Sequence, residues 1–309
     1  MIDTDLIVIG AGAAGLSAGI YAARSGISVI MIDGSGIGGQ IAQIDSLENY
    51  PGVFPATNGT SFTDTLRKQA ESFGAKTVFA EVTSIYKKGS LFQVVTTKET
   101  YISPAVVYTT GAEHSKLNVP GENELYAKGV SYCAVCDGPF FKGRNVSVIG
   151  GGDSACSEAL YLSGIAGHVD LFHRRGTLRA QEALSEKVMS NSKITVHFNR
   201  AVKSIDGTGR VTGITVYDPE TSEEEKFNTD AVFIFAGMVP RTELLETLPK
   251  DKAGYIIANE KMESPVKGLY IAGDVRSKPL RQIVTACSDG AIAGFFAAEY
   301  VKENFIKQP

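Results

Sequence analysis

Apolar residues in this chain gather in short, dense runs. Leu6–Ile9, Val29–Ile32, Val146–Ile149 and Val169–Phe172 are mostly apolar. Runs this short that do not alternate predict strands buried on both faces, as in a parallel sheet. Between the members of each pair the apolar spacing changes to a helical period. Each pair therefore predicts strand, helix, strand, and the two pairs lie 140 positions apart.

The correspondence extends to single residues. Residues 8–33 read VIGAGAAGLSAGIYAARSGISVIMID and residues 148–173 read VIGGGDSACSEALYLSGIAGHVDLFH, aligned without a gap. Gly10 falls on Gly150, Gly12 on Gly152, Gly15 on Ala155, Ser17 on Ser157 and Tyr21 on Tyr161. Both are βαβ units opening with G-x-G-x-x-G/A, the dinucleotide-binding pattern. The first glycine permits the tight turn, the second lets a pyrophosphate approach the backbone, and the third packs helix on strand. The anion then rests on the free N–H groups of the helix N-terminus.

The two copies end differently. Asp33 closes the first, 18 residues after Gly15, where a carboxylate accepts hydrogen bonds from a free ribose 2′-OH. The second has His173 in that register, then Arg174, Arg175 and Arg179. A carboxylate repels a 2′-phosphate, whereas guanidinium groups bind one. The first copy thus reads as a site for FAD or NAD, and the second for NADP.

Two later apolar runs, AVVYTTGA (105–112) and AVFIFAGM (231–238), each read as a buried strand ending in glycine that closes its own sheet. GLYIAGDV (268–275) is a further strand with no fingerprint ahead of it, so it returns to the first domain. The expected fold is α/β, with two Rossmann-like, three-layer nucleotide-binding domains, the second inserted into the first. The expected segments are 1–116, 117–243 and 244–309, with crossings near 113–120 and 239–247. EEEK at 223–226 reads as a hairpin tip.

Composition narrows the class. A chain of 309 residues suits two domains at roughly 100–200 residues each. No apolar run approaches the roughly 20 residues of a spanning helix. Met1 leads through Asp3 and Asp5 into the first strand, unlike a signal peptide. A net charge of −4 gives no general attraction to nucleic acid or anionic lipid. Four cysteines are too few for a disulfide scaffold, which favours a reducing cytoplasm.

Cys133 and Cys136 form a C-x-x-C followed by Asp137. Such spacing allows a disulfide to open and close, with one thiol pKa lowered. Half of a zinc site would need a second paired cluster, but Cys156 and Cys287 are isolated. A thioredoxin-type site would carry a flanking Trp, and the chain has none. A redox dithiol served by a flavin accounts best for a C-x-x-C beside a nucleotide-binding strand. Asp137 can supply or accept the proton that disulfide cleavage requires, or hold the turn before Gly138. Cys156 and Cys287 read as packing, and His114, His168 and His197 show no partner in the sequence.

The motifs come in a set order: GAGAAG, GGQ (38–40), ENYPG (48–52), TTGA (109–112), CAVCDG (133–138), GGGDSA (150–155), HRRxxxRA (173–180) and AGDV…RQI (272–283). In this order the chain resembles the bacterial-type, low-molecular-weight thioredoxin reductase family over nearly its whole length. The resemblance implies an FAD domain split around an NADPH domain that carries the dithiol and rotates on its linkers, in a homodimer acting on thioredoxin. It places Gly10, Gly12, Ala13, Ala14, Gly15 and Asp33 on the ADP half of FAD, Ala13 standing where the family usually has Pro. Gly39, Gln40 and Asn49 line the ribityl and flavin portion, and Gly273, Asp274, Arg281, Gln282 and Ile283 close the site. Gly151, Gly152, Asp153 and Ser154 would meet the NADPH pyrophosphate, and His173, Arg174, Arg175 and Arg179 its 2′-phosphate. Cys136 is the flavin-facing sulfur of that family and Cys133 the one that attacks thioredoxin. A related flavin reductase serving a peroxiredoxin or another redox protein is the alternative, since CAVCDGPFFKG resembles the dithiol segment of the peroxiredoxin partner as well.

Overall fold

The computed structural model describes residues 3–44 and 47–306. The chain divides into two compact units, Met1–Glu113 with Val239–Pro309, and His114–Met238. The first segment runs β1 (Leu6–Ile9), α1 (Ala13–Arg24), β2 (Val29–Asp33), α2 (Gly59–Ser72) and β3 (Lys76–Phe79). It continues through β4 (Val82–Lys88), β5 (Leu91–Thr96), β6 (Thr100–Ser103), β7 (Ala105–Tyr108) and β8 (Ala112–His114). Strands β4, β5 and β6 form an antiparallel meander.

The reason for the unbroken apolar run in β1 is visible in its packing. Side chains alternate across a strand, so each face needs its own core. Leu6 and Val8 pack among the helices with Leu16 and Ala18, while Ile7 and Ile9 pack against Phe92 and Val94 of the meander.

The inserted unit repeats the plan. Its elements are β9 (Val130–Ser131), α3 (Ala134–Asp137), β10 (Asn145–Gly150), α4 (Asp153–Ser163), β11 (His168–His173), α5 (Glu182–Met189) and β12 (Ile194–Phe198). They are followed by β13 (Ala201–Gly207), β14 (Val211–Tyr217), β15 (Glu224–Asn228), β16 (Ala231–Phe235) and β17 (Met238–Pro240). The parallel sheet has the order β12-β11-β10-β16-β9. Val146 and Val148 of β10 face the helices with Ala159 and Leu162, and Ile149 faces Ile214 and Val216 of the β13-β14-β15 meander.

EEEK at 223–226 is not the tip of this meander. Glu224, Glu225 and Lys226 pair with Tyr217, Val216 and Thr215 on β14, and the turn lies earlier, where Ser222 N–H donates to Asp218 O. The Asp218 carboxylate accepts the Glu220 N–H at 2.8 Å and so nucleates that turn, leaving the glutamates on an edge strand. The insertion begins and ends side by side. Strands β8 and β17 pair with each other, and Ser115 N–H donates to Gly237 O at 2.9 Å.

The returning segment contributes β18 (Leu269–Ile271) and α6 (Ile283–Asn304). Strand β18 joins β7 in parallel and completes the sheet β18-β7-β1-β2-β3. Helix α6 lies on α1, and a methyl group at Gly290 or Gly294 would overlap the carbonyl oxygen of Ala14 or Ala18. The absent side chains let the two backbones meet and seal the face of the sheet next to the first glycine turn. Among the described residues no helix is long and apolar enough to cross a membrane.

Candidate active site

Cys133 caps the single turn α3, Cys136 lies within it, and the two are joined as a disulfide. Cys136 is exposed, and Cys133 and Asp137 are half-buried. The Cys136 N–H donates to Cys133 Sγ at 3.1 Å. Ser131 fixes the approach to the loop. Its Oγ accepts the Cys133 N–H at 3.0 Å and donates to Cys133 O at 3.2 Å.

Tyr132, next to the dithiol, donates its hydroxyl to Glu122 Oε1 at 2.5 Å. Burial and that carboxylate push the phenol pKa up. Buried Glu122 also accepts the N–H groups of Leu117 (2.8 Å) and Asn118 (2.6 Å). The dithiol loop is thereby tied to the chain that enters the insertion.

The glycine turn of this unit comes directly after β10. Gly150 has φ +150°, and a methyl group there would overlap Phe235 O of β16. Nothing lies within 4 Å of the same position at Gly152, so the space above this turn is open. Helix α4 starts at Gly152 without a side-chain cap, which leaves its first N–H groups to an anion. Asp153 spends its carboxylate on Gln181, accepting the backbone N–H at 2.8 Å and Nε2 at 3.0 Å, while Ser154 is exposed. A cavity of about 560 Å³ is lined by Gly150, Gly151, His173, Arg174, Arg175 and Arg179.

His173 is 3% exposed, packs against Gly151, and its Nε2 has no hydrogen-bond partner. Burial, followed by the neighbouring arginines, lowers its pKa and favours the neutral ring. Among the described residues Arg174, Arg175 and Arg179 form no ion pair with a carboxylate. Arg200, lining the same cavity, is paired with Asp218 at 3.1 Å and Glu225 at 3.5 Å. The three unpaired guanidinium groups and the orphaned imidazole suit a phosphate ester.

In the other unit, Gly10 has φ +100° beside Thr109 O, and Gly15 leaves no room for a side chain over Gly10 O. Gly12 is open, and α1 begins there, with Ala13 and Ala14 in its uncapped first turn. Asp33 accepts the N–H groups of Ala11 (2.6 Å), Ser35 (2.7 Å) and Gly36 (2.9 Å), so its carboxylate organises the turn itself. A cavity of about 600 Å³ opens between Gly10, Asp33, Ser35 and Thr110.

Gly39 and Gln40 begin a 3-10 turn, and Gln40 Nε2 donates to Ala112 O at 2.5 Å. Asn49 Nδ2 donates to Gln282 Oε1 at 3.1 Å, and Gln282 caps α6 just before Ile283. The Arg281 guanidinium lies 3.5 Å from the centre of the Tyr255 ring. Arg281 Nε and Asp274 Oδ1 are both buried without a hydrogen-bond partner. Gly273 abuts the first turn of α1, since a methyl group there would come 2.7 Å from Ala14 Cβ.

Several contacts were not visible as such in the sequence. Lys278, Arg276 and Asp289 form a buried ion cluster around the Gly273–Val275 turn. Its one sequence signal is Asp289, a carboxylate within the apolar first half of α6, whose other acids, Glu299 and Glu303, lie near its end. The three histidines for which no partner was expected all have surroundings. His197 Nε2 lies 2.7 Å from Asp170, His168 Nε2 lies 3.0 Å from Thr195 Oγ1, and His114 stacks on Tyr132. Parallel pairing of β11 with β12 creates the first two contacts. Cys156 and Cys287 are buried, and burial pushes the Cys156 thiol up to about 11. Among the described residues no group of three His, Cys, Asp or Glu could hold a metal ion.

A family profile described as pyridine nucleotide-disulphide oxidoreductase matches residues 4–290. The chain belongs to this family. Membership of the pyridine nucleotide-disulphide oxidoreductases implies a flavin and a pyridine nucleotide, alongside the disulfide already described. The thioredoxin reductase of Treponema pallidum is 46% identical over 299 residues, covering 97% of each chain. That of Bacillus subtilis is 43% identical over 302 residues, covering 97% of this chain and 95% of its own. Among solved structures, Lactococcus lactis thioredoxin reductase (FR conformation) is similar with a TM-score of 0.94 at 36% identity, covering 97% of this chain and all of its own. Thioredoxin reductase of T. acidophilum is similar at 0.90 and 36%, covering 98% and 99%.

Proposed function

We propose that this oxidoreductase passes electrons from NADPH through FAD and the Cys133–Cys136 pair to the disulfide of thioredoxin, as a cytoplasmic homodimer. The split unit holds FAD and the inserted unit holds NADPH. The observation that carries this reading is a redox disulfide in the same unit as an open glycine turn ringed by unpaired arginines.

The residues present fit both groups. Buried Arg281 Nε lacks a hydrogen-bond partner in the split unit, the Gly273–Asp274 turn abuts the first turn of α1, and buried His173 Nε2 lacks a partner beside the second glycine turn. Gly12 and Gly152 leave room for pyrophosphates, and the arginines select a 2′-phosphate. The nucleotide held at the Gly152 turn would supply a hydride, and a flavin held at the Gly12 turn would supply the electron pair for reducing the disulfide.

The exchange of sulfur bonds is carried out by the chain's own residues. The Cys133 thiolate, facing the Cys136 N–H, attacks a substrate sulfur and expels the other sulfur as a thiolate, which takes up a proton. Cys136 loses its proton, attacks Cys133 in the mixed disulfide, and releases the second substrate sulfur, which is protonated in turn. The Cys133–Cys136 bond re-forms as the substrate gains two electrons and two protons. Asp137, the next residue in sequence, carries the proton leaving Cys136 in this reading.

Anaerobic titration of the purified protein with NADPH, then oxidised thioredoxin, tests the reading. Bleaching of the flavin band by NADPH and its return on adding thioredoxin are expected. Cys133→Ser with Cys136→Ser should keep the bleaching and lose the return. Undiminished thioredoxin reduction by the double variant would end the proposal.

A further inference from the structure

Lys278 has a buried side chain, 3% exposed. A buried ammonium is costly unless carboxylates surround it. Two do so. Nζ lies 3.2 Å from Asp289 Oδ2 and 3.1 Å from Asp274 Oδ1.

Asp289 has no need of this lysine. Arg276 donates to it twice, Nε to Oδ2 at 3.2 Å and Nη2 to Oδ1 at 3.0 Å, and the Gly273 N–H adds a third bond at 3.2 Å. Arg276 and Asp289 already form a neutral pair that pins the turn to α6. What Lys278 adds is the reach from that pair to Asp274. Asp274 stands at the carboxyl end of β18, where ligands of parallel α/β sheets bind. Its turn touches the first turn of α1 through Gly273 and Ala14. Asp274 Oδ1 is buried against the ammonium while the side chain as a whole is 32% exposed, so the rest of the carboxylate stays open to a donor.

We propose that Lys278 is a positioning residue for the flavin site. Anchored on Asp289, its ammonium keeps the Asp274 carboxylate turned so that it can accept a hydrogen bond from the cofactor. This rests on the reading that the split unit holds FAD. Removing the ammonium leaves Asp274 free to rotate and without its counter-charge, which weakens cofactor binding through Asp274 alone.

A double-mutant cycle on the full-length protein, stripped of flavin and titrated with FAD by flavin fluorescence, tests this. Lys278→Met is expected to raise the FAD dissociation constant about tenfold or more, the scale of one lost charge-assisted hydrogen bond. In an Asp274→Asn background the same substitution should change it less than about twofold, because the carboxylate it acts through is gone. An Lys278→Met protein that binds within about twofold of wild type would overturn the proposal. So would a loss that persists in full beside Asp274→Asn, since that marks a purely structural role. If Lys278→Met alone does not fold, the pair with Asp274→Asn is expected to fold, having no orphaned carboxylate; an unfolded pair also overturns it. Wild-type protein that takes up no FAD would instead remove the flavin reading itself.

Discussion

At the scale of single residues, the two glycine turns share one backbone solution and differ in what stands at the end of the second strand. Asp33 and His173 occupy equivalent registers. Register could be counted in the sequence, but the partners could not. Asp33 gives its oxygens to three backbone N–H groups, while His173 is left with an orphaned nitrogen beside three unpaired arginines. Arg174→Ala with Arg175→Ala should therefore weaken NADPH binding about a hundredfold or more, given roughly 1.5–3 kcal/mol for one charged hydrogen bond from each arginine. NADH, which lacks the 2′-phosphate, should change less than about twofold in the same binding titration. Equal losses for the two nucleotides would take the phosphate away from these arginines.

At the scale of elements, helix packing decides where the turns sit. Helix α6 is 22 residues long and begins at Gln282, whose side chain and Thr285 cap each other. Its glycines at 290 and 294 make the contact with α1 close enough to exclude side chains. Gly290→Val should cost about 2 kcal/mol or more, because overpacking against a backbone carbonyl has nowhere to relax. The expected readout is a melting temperature lowered by several degrees together with weaker FAD retention, as α1 is pushed from the sheet. An unchanged melting curve would mean that the helices are not locked at this crossing. The edge strand β15 teaches a related lesson. A run of glutamates reads as a solvated tip, yet one Asx turn at Asp218 moves the tip and places the charges on a strand.

For the whole molecule, the insertion enters and leaves through neighbouring strands, with Ser115 bonded to Gly237. Each unit has its own parallel sheet, meander and cores. Replacing residues 115–237 by a short Gly-Ser bridge should thus leave the split unit folded and able to bind FAD, with no NADPH oxidation. Circular dichroism and flavin titration check the first part, and nicotinamide absorbance the second. A collapsed product would show that the split unit depends on the insertion for its fold.

The α/β architecture could be read directly because its signals are local. A buried parallel strand is a contiguous apolar run, and a glycine turn takes its shape from three or four neighbouring residues, so both can be recognised before any packing is known. A C-x-x-C is likewise legible as a pair that can close on itself. What only the folded chain decided are the meetings of residues ten or more positions apart: Glu122 beneath Tyr132, Asp170 beside His197, and Asp289 between Arg276 and Lys278. These depend on strand register and helix crossing, which are set by the packing of whole surfaces. A sequence states which charges the chain carries, and burial determines which of them must find each other.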